Sequence, residues 1–338
     1  MDRTNRKKTL TDDNPPLVSI VIPMYNEAGN VERCIASIQK QNYPARKIEI
    51  IVVDGNSSDG SREKVLSLAE NYPNIRLLTN PKRKTPSSLN IGIKNAAGEV
   101  VIILGAHTKI KEDFVSQNIR LMKEKNVKCV GGTQINVGEN FMQRAIGYAM
   151  GHPFGLASAP YRYGKREKFV DTVVYAAYRK ELFDEVGYFD EDLFISEDAE
   201  LNWRIRQAGY KIFYSPKIVS YYYPRKTIKR LIVQLFRYGI LRVNVIKKHF
   251  NAIKLMHLIP PAFALVTILL LIAGFFKTLF LIPLAIIWGL YLVLSLISSF
   301  QISMEKGFRY FFILPILFPV IHLSWGIGFL VGIFVSRD

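Results

Sequence analysis

The sequence predicts an α/β fold of parallel β-α-β units, then basic amphipathic helices, then about three membrane-spanning helices. Three observations carry this. Val- and Ile-rich runs alternate with helix-period segments from Leu17 to about residue 105, the signature of buried parallel strands with crossover helices. No acid occurs from Arg225 to Met256. Three long apolar runs close the chain.

The opening stretch, residues 1–16, is charged without an apolar core, so a flexible tail is expected rather than a secretory signal peptide. The α/β domain then runs over 17–224. "LVSIVIP" reads as the first strand, and "NVERCIASIQKQ" as a helix with Val31, Cys34, Ile35 and Ile38 on one face. "KIEIIVVD", "NIRLLTN" and "EVVIILG" are the next strands, separated by helices "SREKVLSLAEN" and "PSSLNIGIKNAAG". Neither G-x-G-x-x-G after the first strand nor G-x-x-x-x-G-K-[ST] is present, which argues against a dinucleotide dehydrogenase and a P-loop NTPase.

Residues 225–256 form the basic segment. On a helical wheel Ile228, Leu231, Ile232, Leu235 and Ile246 fall on one side. Lys226, Lys229, Arg230, Arg237, Lys247 and Lys248 fall roughly opposite, as in a helix lying at a membrane surface against anionic lipids. The remainder, 257–338, holds uncharged runs at about 258–276, 279–300 and 311–335, each long enough to span a bilayer. The basic excess before them places the large N-terminal part in the cytoplasm, with the protein a multi-pass component of the cell membrane. The net charge of +17 calls for a polyanionic partner. Because that charge gathers beside the apolar runs, nucleic acid is not expected. Two distant cysteines, Cys34 and Cys129, exclude a disulfide framework and a cysteine zinc site, and fit a reducing compartment.

Candidate chemistry gathers where strands end, because ligands of open α/β sheets sit outside the carboxyl ends of the strands. Asp54 ends the second strand in "VVDGNSSDGS", and Asp59 follows. The plain reading is a turn, with Asp59 capping the helix that starts near Ser61. The sharper reading is a ligand site, in which Asp54 accepts hydrogen bonds from a nucleobase or ribose. Glu27, in "PMYNE", holds the equivalent place after strand one, and His107, in "GAHTK", the place after strand four. Further on, "FISEDAELNWRIRQAGY" sets Glu197, Asp198 and Glu200 together. Acids suit a helix N-terminus in general, and a carboxylate in a cleft can also act as a general base.

In order and spacing, "VSIVIPMYNE", "EIIVVDGNSSDGS", "LNIGIKNAAGEVVIILGAH" and "ISEDAELNWRIRQAGY" resemble the family 2 glycosyltransferases of GT-A fold. The later segments "YGKREKFVDTVVYAAYRKELFDEVGYFDEDLFISEDAELNWR" and "YYYPRKTIKRLIVQLFRYG" resemble the succinoglycan-type exopolysaccharide enzymes with C-terminal membrane helices. The resemblance implies a nucleotide-diphosphate sugar donor, a UDP-sugar above all, with Pro23, Tyr25, Glu27 and Asp54 at the nucleoside and Asp59 beside them. It implies Asp198 as the base that deprotonates an acceptor hydroxyl, inversion at the anomeric carbon, and Glu197 lining the site. "QLFRY" is similar to the Gln-x-x-Arg-Trp element of membrane glycosyltransferases, implying Gln234 and Arg237 at the donor diphosphate. The acceptor would be a polyprenyl-phosphate-linked sugar or a glycan, and anionic lipids a further partner.

One departure stands out. The family's metal-binding acid after strand four is replaced by Gly105, ahead of Ala106 and His107. The expected Mn2+ or Mg2+ would then rest on His107 and the donor phosphates, with imidazole favouring Mn2+. The same departure motivates the alternative reading, a catalytically silent membrane scaffold that keeps the fold.

Overall fold

The computed structural model describes residues 14–156, 159–193, 197–250 and 253–335. It divides into two compact units. The first thirteen residues of the expected tail lie outside the described residues. Of the rest, Pro16 O accepts the Tyr43 hydroxyl at 2.6 Å and Asn14 accepts Lys47 at 2.9 Å.

The first unit takes in residues up to Gly132, Glu167–Glu191 and Arg204–Ser220. Its parallel strands are β1 (Val18–Met24), β2 (Ile48–Asp54), β3 (Ile75–Thr79) and β4 (Val100–Ile103). Helices α1 (Val31–Gln39), α2 (Ser61–Asn71) and α3 (Thr85–Lys94) connect them. The β1 and β2 residues Ile20, Ile22, Ile50 and Val52 have no exposure. They share one core with Cys34, Ile35 and Ile38 of α1, each burial being worth about 1.5–3 kcal/mol. A Cβ on Gly92 of α3 would run into Val21 of β1, so glycine there sets how closely the helix lies on the sheet.

Beyond β4 the sheet becomes mixed. Its order is β3-β2-β1-β4-β8-β6-β9-β5 with β7 on β9, where β5 is Thr108–Ile110, β6 Cys129–Asn136, β7 Lys168–Val170, β8 Ala177–Arg179 and β9 Ile212–Tyr222. The β4–β8, β6–β8 and β7–β9 pairs are antiparallel. Helices α4 (Phe114–Glu124) and α6 (Glu181–Val186) also belong here. Cys34 and Cys129 are free and buried, and burial pushes the Cys34 thiol up to about 12.

The second unit takes in Thr133–Arg166, Asp192–Trp203 and the chain from Tyr221 onward. It contains α5 (Phe141–Met150), the first residues of α7 (Glu197–Gln207), α8 (Ile228–Lys248), α9 (Leu255–Phe276), α10 (Leu281–Lys306) and α11 (Leu314–Phe334). Three helices, Leu255–Phe276, Thr278–Lys306 and Leu314–Phe334, are long and apolar enough to cross a membrane. The first has 22 residues, or about 33 Å at 1.5 Å per residue, against a hydrocarbon core of about 30 Å. Their outward residues, among them Leu269, Ile286, Leu290 and Phe334, are exposed.

The basic segment differs in detail from its helical-wheel reading. It is one long helix, α8, and it packs on α11. A Cβ on Gly239 would collide with Trp325 O, and one on Gly328 with Phe236 O. Such near backbone contact is what small residues allow between membrane helices. Leu231, Leu235 and Ile246 are buried, whereas Ile232 is 41% exposed. A residue adjacent to Leu231 is turned about 100° away from it, and the buried stripe includes polar Gln234 instead.

Candidate functional site

In the first unit, strand register brings the candidate residues to one sheet edge. Met24 pairs with Asp54, and Asp54 with Thr79. The Asp54 carboxylate is buried. Its Oδ1 accepts the Ser57 amide at 3.2 Å and the Ser57 hydroxyl at 2.6 Å. Arg62 Nη1 lies 3.6 Å from Oδ2, an ion pair rather than a hydrogen bond, and donates to Thr79 Oγ1 at 3.1 Å. Arg62 thus covers the strand-end acid, a residue that sequence reasoning passed over because a helix-surface arginine looks ordinary.

The loops after β1 and β2 are laced together. Asn26 N donates to Ser57 Oγ, Ser58 N to Asn26 Oδ1, and Glu27 N to Ser61 Oγ at 2.7 Å. Asp59 supplies the crosslink: Oδ2 accepts Ala28 N at 3.0 Å, and Oδ1 accepts both Ser61 N and the Ser61 hydroxyl. The Ser61 hydroxyl, opposed by slight desolvation and helped by the Ala28 amide, holds the Asp59 carboxyl below its usual range. The residue before α2 is Gly60, left-handed at φ 87°. The cap position is thus Gly60 rather than the expected Asp59; from one residue earlier Asp59 accepts the Ser61 amide and ties in the neighbouring loop. Pro23 pairs with Val53 in the ladder, and Tyr25 is 50% exposed. Asn80, also missed in the sequence, anchors the third strand end: its amide donates to Asp54 O at 2.7 Å and its side chain to Lys84 O and Ser88 Oγ.

His107 stands at the same edge. Its Nδ1 lies 3.0 Å from Glu27 Oε1. A carboxylate only accepts, so Nδ1 carries the proton. A Cβ on Gly105 would lie 3.4 Å from His107 Nε2. Among the described residues no group of three or more His, Cys, Asp or Glu side chains is placed to hold a metal ion. One imidazole and one carboxylate already bonded to each other are too few ligands for a hard divalent cation. The described residues therefore do not fit such an ion by themselves.

In the second unit the candidates stand on α7 and α8. Glu197 and Asp198 occupy the first turn of α7. Burial, then the Asp198 charge, pushes the Glu197 carboxyl up to about 8. Burial also raises Asp198, against the opposing pull of the Ala199 amide, a hydrogen bond of 2.7 Å, and of the Arg242 guanidinium. Burial in turn lowers Arg242, which feels both Asp198 and Tyr161. Arg242 was absent from the sequence reading; lying one helical turn beyond Tyr238, it gave no motif to notice.

The third acid of the group, Glu200, is 1% exposed. It meets His249 Nε2 at 2.9 Å, and Trp203 stacks on the His249 ring at 4.0 Å between centroids. This clamp joins the helix bearing Asp198 to the C-terminal end of α8.

Gln234 and Arg237 share α8 but not an environment. Gln234 is buried, with Nε2 3.1 Å from the hydroxyls of both Tyr222 and Tyr238. Arg162 lies over the Tyr222 ring and donates to Asn136 Oδ1 at 2.8 Å. Arg237 is exposed. Both line a cleft of about 530 Å³ with Arg225, Thr227, Lys229, Arg230, Val233 and Tyr238.

Comparison with known proteins gives the following. The family model described as Glycosyl transferase family 2 matches residues 19–187. The dolichyl N-acetyl-alpha-D-glucosaminyl phosphate 3-beta-D-2,3-diacetamido-2,3-dideoxy-beta-D-glucuronosyltransferase of Methanococcus voltae is 31% identical, covering 94% of this chain and 97% of that protein. The succinoglycan biosynthesis protein ExoA of Rhizobium meliloti is 28% identical, with 92% and 93% covered. Among solved structures, a mannosyltransferase from Pyrobaculum calidifontis in complex with GDP-Man and Mn2+ matches with a TM-score of 0.58 at 20% identity, over 92% of this chain and 87% of that one. At that identity the likeness concerns the fold.

Proposed function

The chain belongs to glycosyl transferase family 2, and from that premise we propose that it is an inverting transferase which moves a sugar from a nucleotide-diphosphate sugar, a UDP-sugar, to a polyprenyl-linked acceptor at the cytoplasmic face of a membrane. The observation that carries this reading is the carboxyl pair at the start of α7, held with raised proton affinity. A base poised above the ordinary carboxylate range accepts a hydroxyl proton more readily.

In the step proposed, Asp198 takes the proton of an acceptor hydroxyl. The acceptor oxygen bonds to the anomeric carbon as the bond from that carbon to the phosphate oxygen breaks. The electron pair leaves with the nucleoside diphosphate, and attack from the opposite side inverts the centre. Arg242 opposes the burial that raises Asp198, so the carboxyl pair has a counter-charge beside it. On the first unit, Asp54 with Glu27, Tyr25 and Pro23 frames the nucleoside. Because Arg62 covers Asp54, the nucleoside displaces Arg62 on binding. Among the described residues, His107 and Glu27 alone do not complete a cation site. The Methanococcus voltae relative, a transferase that acts on a dolichyl-phosphate sugar, supports the acceptor class. The retained Asp198, Glu197 and Arg242 set oppose the silent-scaffold alternative that Gly105 suggests.

The test uses the full chain in nanodiscs with radiolabelled UDP- and GDP-sugars and a polyprenyl-linked GlcNAc acceptor. Label moving into the lipid fraction, and lost in Asp198→Asn, supports the proposal. Transfer that survives Asp198→Asn unchanged overturns the assignment of the base.

A further inference from the structure

The cleft on α8 concentrates positive charge. Arg225, Lys229, Arg230 and Arg237 all line it, and no acid occurs from Arg225 to Met256. Lys226, the neighbouring cation, is neutralised by Glu139 at 2.7 Å. Among the described residues, no ion pair joins any of the four lining cations to a carboxylate. Four like charges in one cleft repel each other unless an anion sits among them. The start of α8 adds its own positive end to the same place: Thr227 caps the helix, accepting Arg230 N, and lines the cleft.

The rim is apolar where an ordinary phosphate site would be polar. Val233 lines the cleft and is 46% exposed, and Ile232 beside it is 41% exposed. Charge plus bare aliphatic surface on one helix describes an amphiphile's headgroup and the first part of its tail. In the same unit, α9 begins only a few residues after α8 ends and is long and apolar enough to cross a membrane.

We propose that this cleft seats the diphosphate of a lipid-linked acceptor, and that it prefers a lipid diphosphate to a lipid monophosphate. The proposal rests on the transferase reading above and adds the chemistry of the acceptor's linkage. A sugar–phosphate–lipid diester has one negative charge and two non-bridging oxygens. A sugar–diphosphate–lipid has two charges and four non-bridging oxygens, one for each of the four cations. Guanidinium groups suit that array, since each presents a planar fork of N–H donors to phosphate oxygens. Gln234 forms the floor, fixed by the Tyr222 and Tyr238 hydroxyls.

Binding is measured with the full chain in nanodiscs of neutral phosphatidylcholine, using a GlcNAc-diphosphate-polyprenol and a GlcNAc-phosphate-polyprenol of equal chain length, and separately UDP. The expected result is at least about tenfold tighter binding of the diphosphate lipid. The double variant Lys229→Gln/Arg230→Gln should lose about tenfold for that lipid, flatten the preference, and leave UDP affinity unchanged. Arg230→Lys, keeping the charge but not the fork, should fall between. Equal affinity of the parent for the two lipids overturns the proposal. Loss of UDP binding in the double variant also overturns it, by giving the cleft to the donor. Weaker attraction to phosphatidylglycerol nanodiscs with both polyprenyl affinities intact would make the cleft a general membrane contact and overturn it likewise. Failure of the transferase reading looks different: no sugar transfer with any donor, while the diphosphate lipid still binds and the double variant still loses it. All substitutions are at exposed positions, so an unchanged melting temperature serves as the folding control.

Discussion

The two units hold their acids in opposite ways. At the sheet edge, Asp54 and Asp59 are surrounded by donors, and hydrogen bonds hold Asp59 below the usual carboxylate range. At the start of α7, Glu197 and Asp198 are half-buried and pushed up. At Asp59 the donors favour the charged form, and a hydrogen-bonded acceptor held in place suits binding. The surroundings at α7 disfavour that form and suit proton transfer. Two pairs of acids that look alike in sequence are thus separated by their surroundings.

The largest expected effect breaks the proton-transfer half. Asp198→Asn should lower the transfer rate by about 10²- to 10⁴-fold, with nucleotide affinity unchanged by calorimetry. A nearly normal rate would remove Asp198 from the mechanism. Next is Asp54→Ala, which removes a charged acceptor and should weaken nucleotide binding by about 1–3 kcal/mol. Unchanged affinity for UDP and GDP would return Asp54 to a turn residue.

His249→Ala sharpens the comparison by loosening α7. On the proposed reading the Glu200–His249–Trp203 clamp positions Asp198 without itself meeting substrate, so kcat should fall about tenfold while KM for the donor holds. His249→Gln, which keeps a donor near Glu200, should recover part of that loss. A change in KM alone would show that the clamp only supports the fold.

The smallest effect at neutral pH concerns Glu197→Gln. With a folded value of about 8 against an ordinary 4.5, the folded chain keeps a proton that the unfolded chain releases within that window. Stability therefore falls as pH rises from about 4.5 and levels off above about 8. Glu197→Gln should lessen this slope, leaving the part due to Asp198, seen as a melting temperature that changes less between pH 6 and 9. A variant whose melting profile parallels the parent's would contradict the raised value.

Much of the first unit was legible because parallel strands announce themselves as short Val- and Ile-rich runs: the expected helix "SREKVLSLAEN" is α2 to the residue. The antiparallel half was harder to read. Strands β7 and β8 have three residues each, too few for a period to show. The acids at 54, 59, 197, 198 and 200 could be found from motif spacing. Their partners could not, because Arg62, Asn80, Arg242 and His249 are brought in by tertiary structure from helix faces and loop ends. On α8 the wheel read charge correctly but not burial. Gln234 is buried and Ile232 exposed because α11 decides which stripe is covered.

The central claim is that binding and proton transfer rest on separate acids. It is tested most directly by measuring nucleotide Kd and single-turnover transfer rate, at saturating donor, on Asp54→Ala and Asp198→Asn in the same nanodisc preparation. The account predicts a clean crossing: Asp54→Ala moves the Kd and leaves the saturated rate within about twofold, while Asp198→Asn leaves the Kd and removes about 10²-fold or more of the rate. If either substitution moves both quantities by comparable factors, the two acids act as one site and the division drawn between them is wrong.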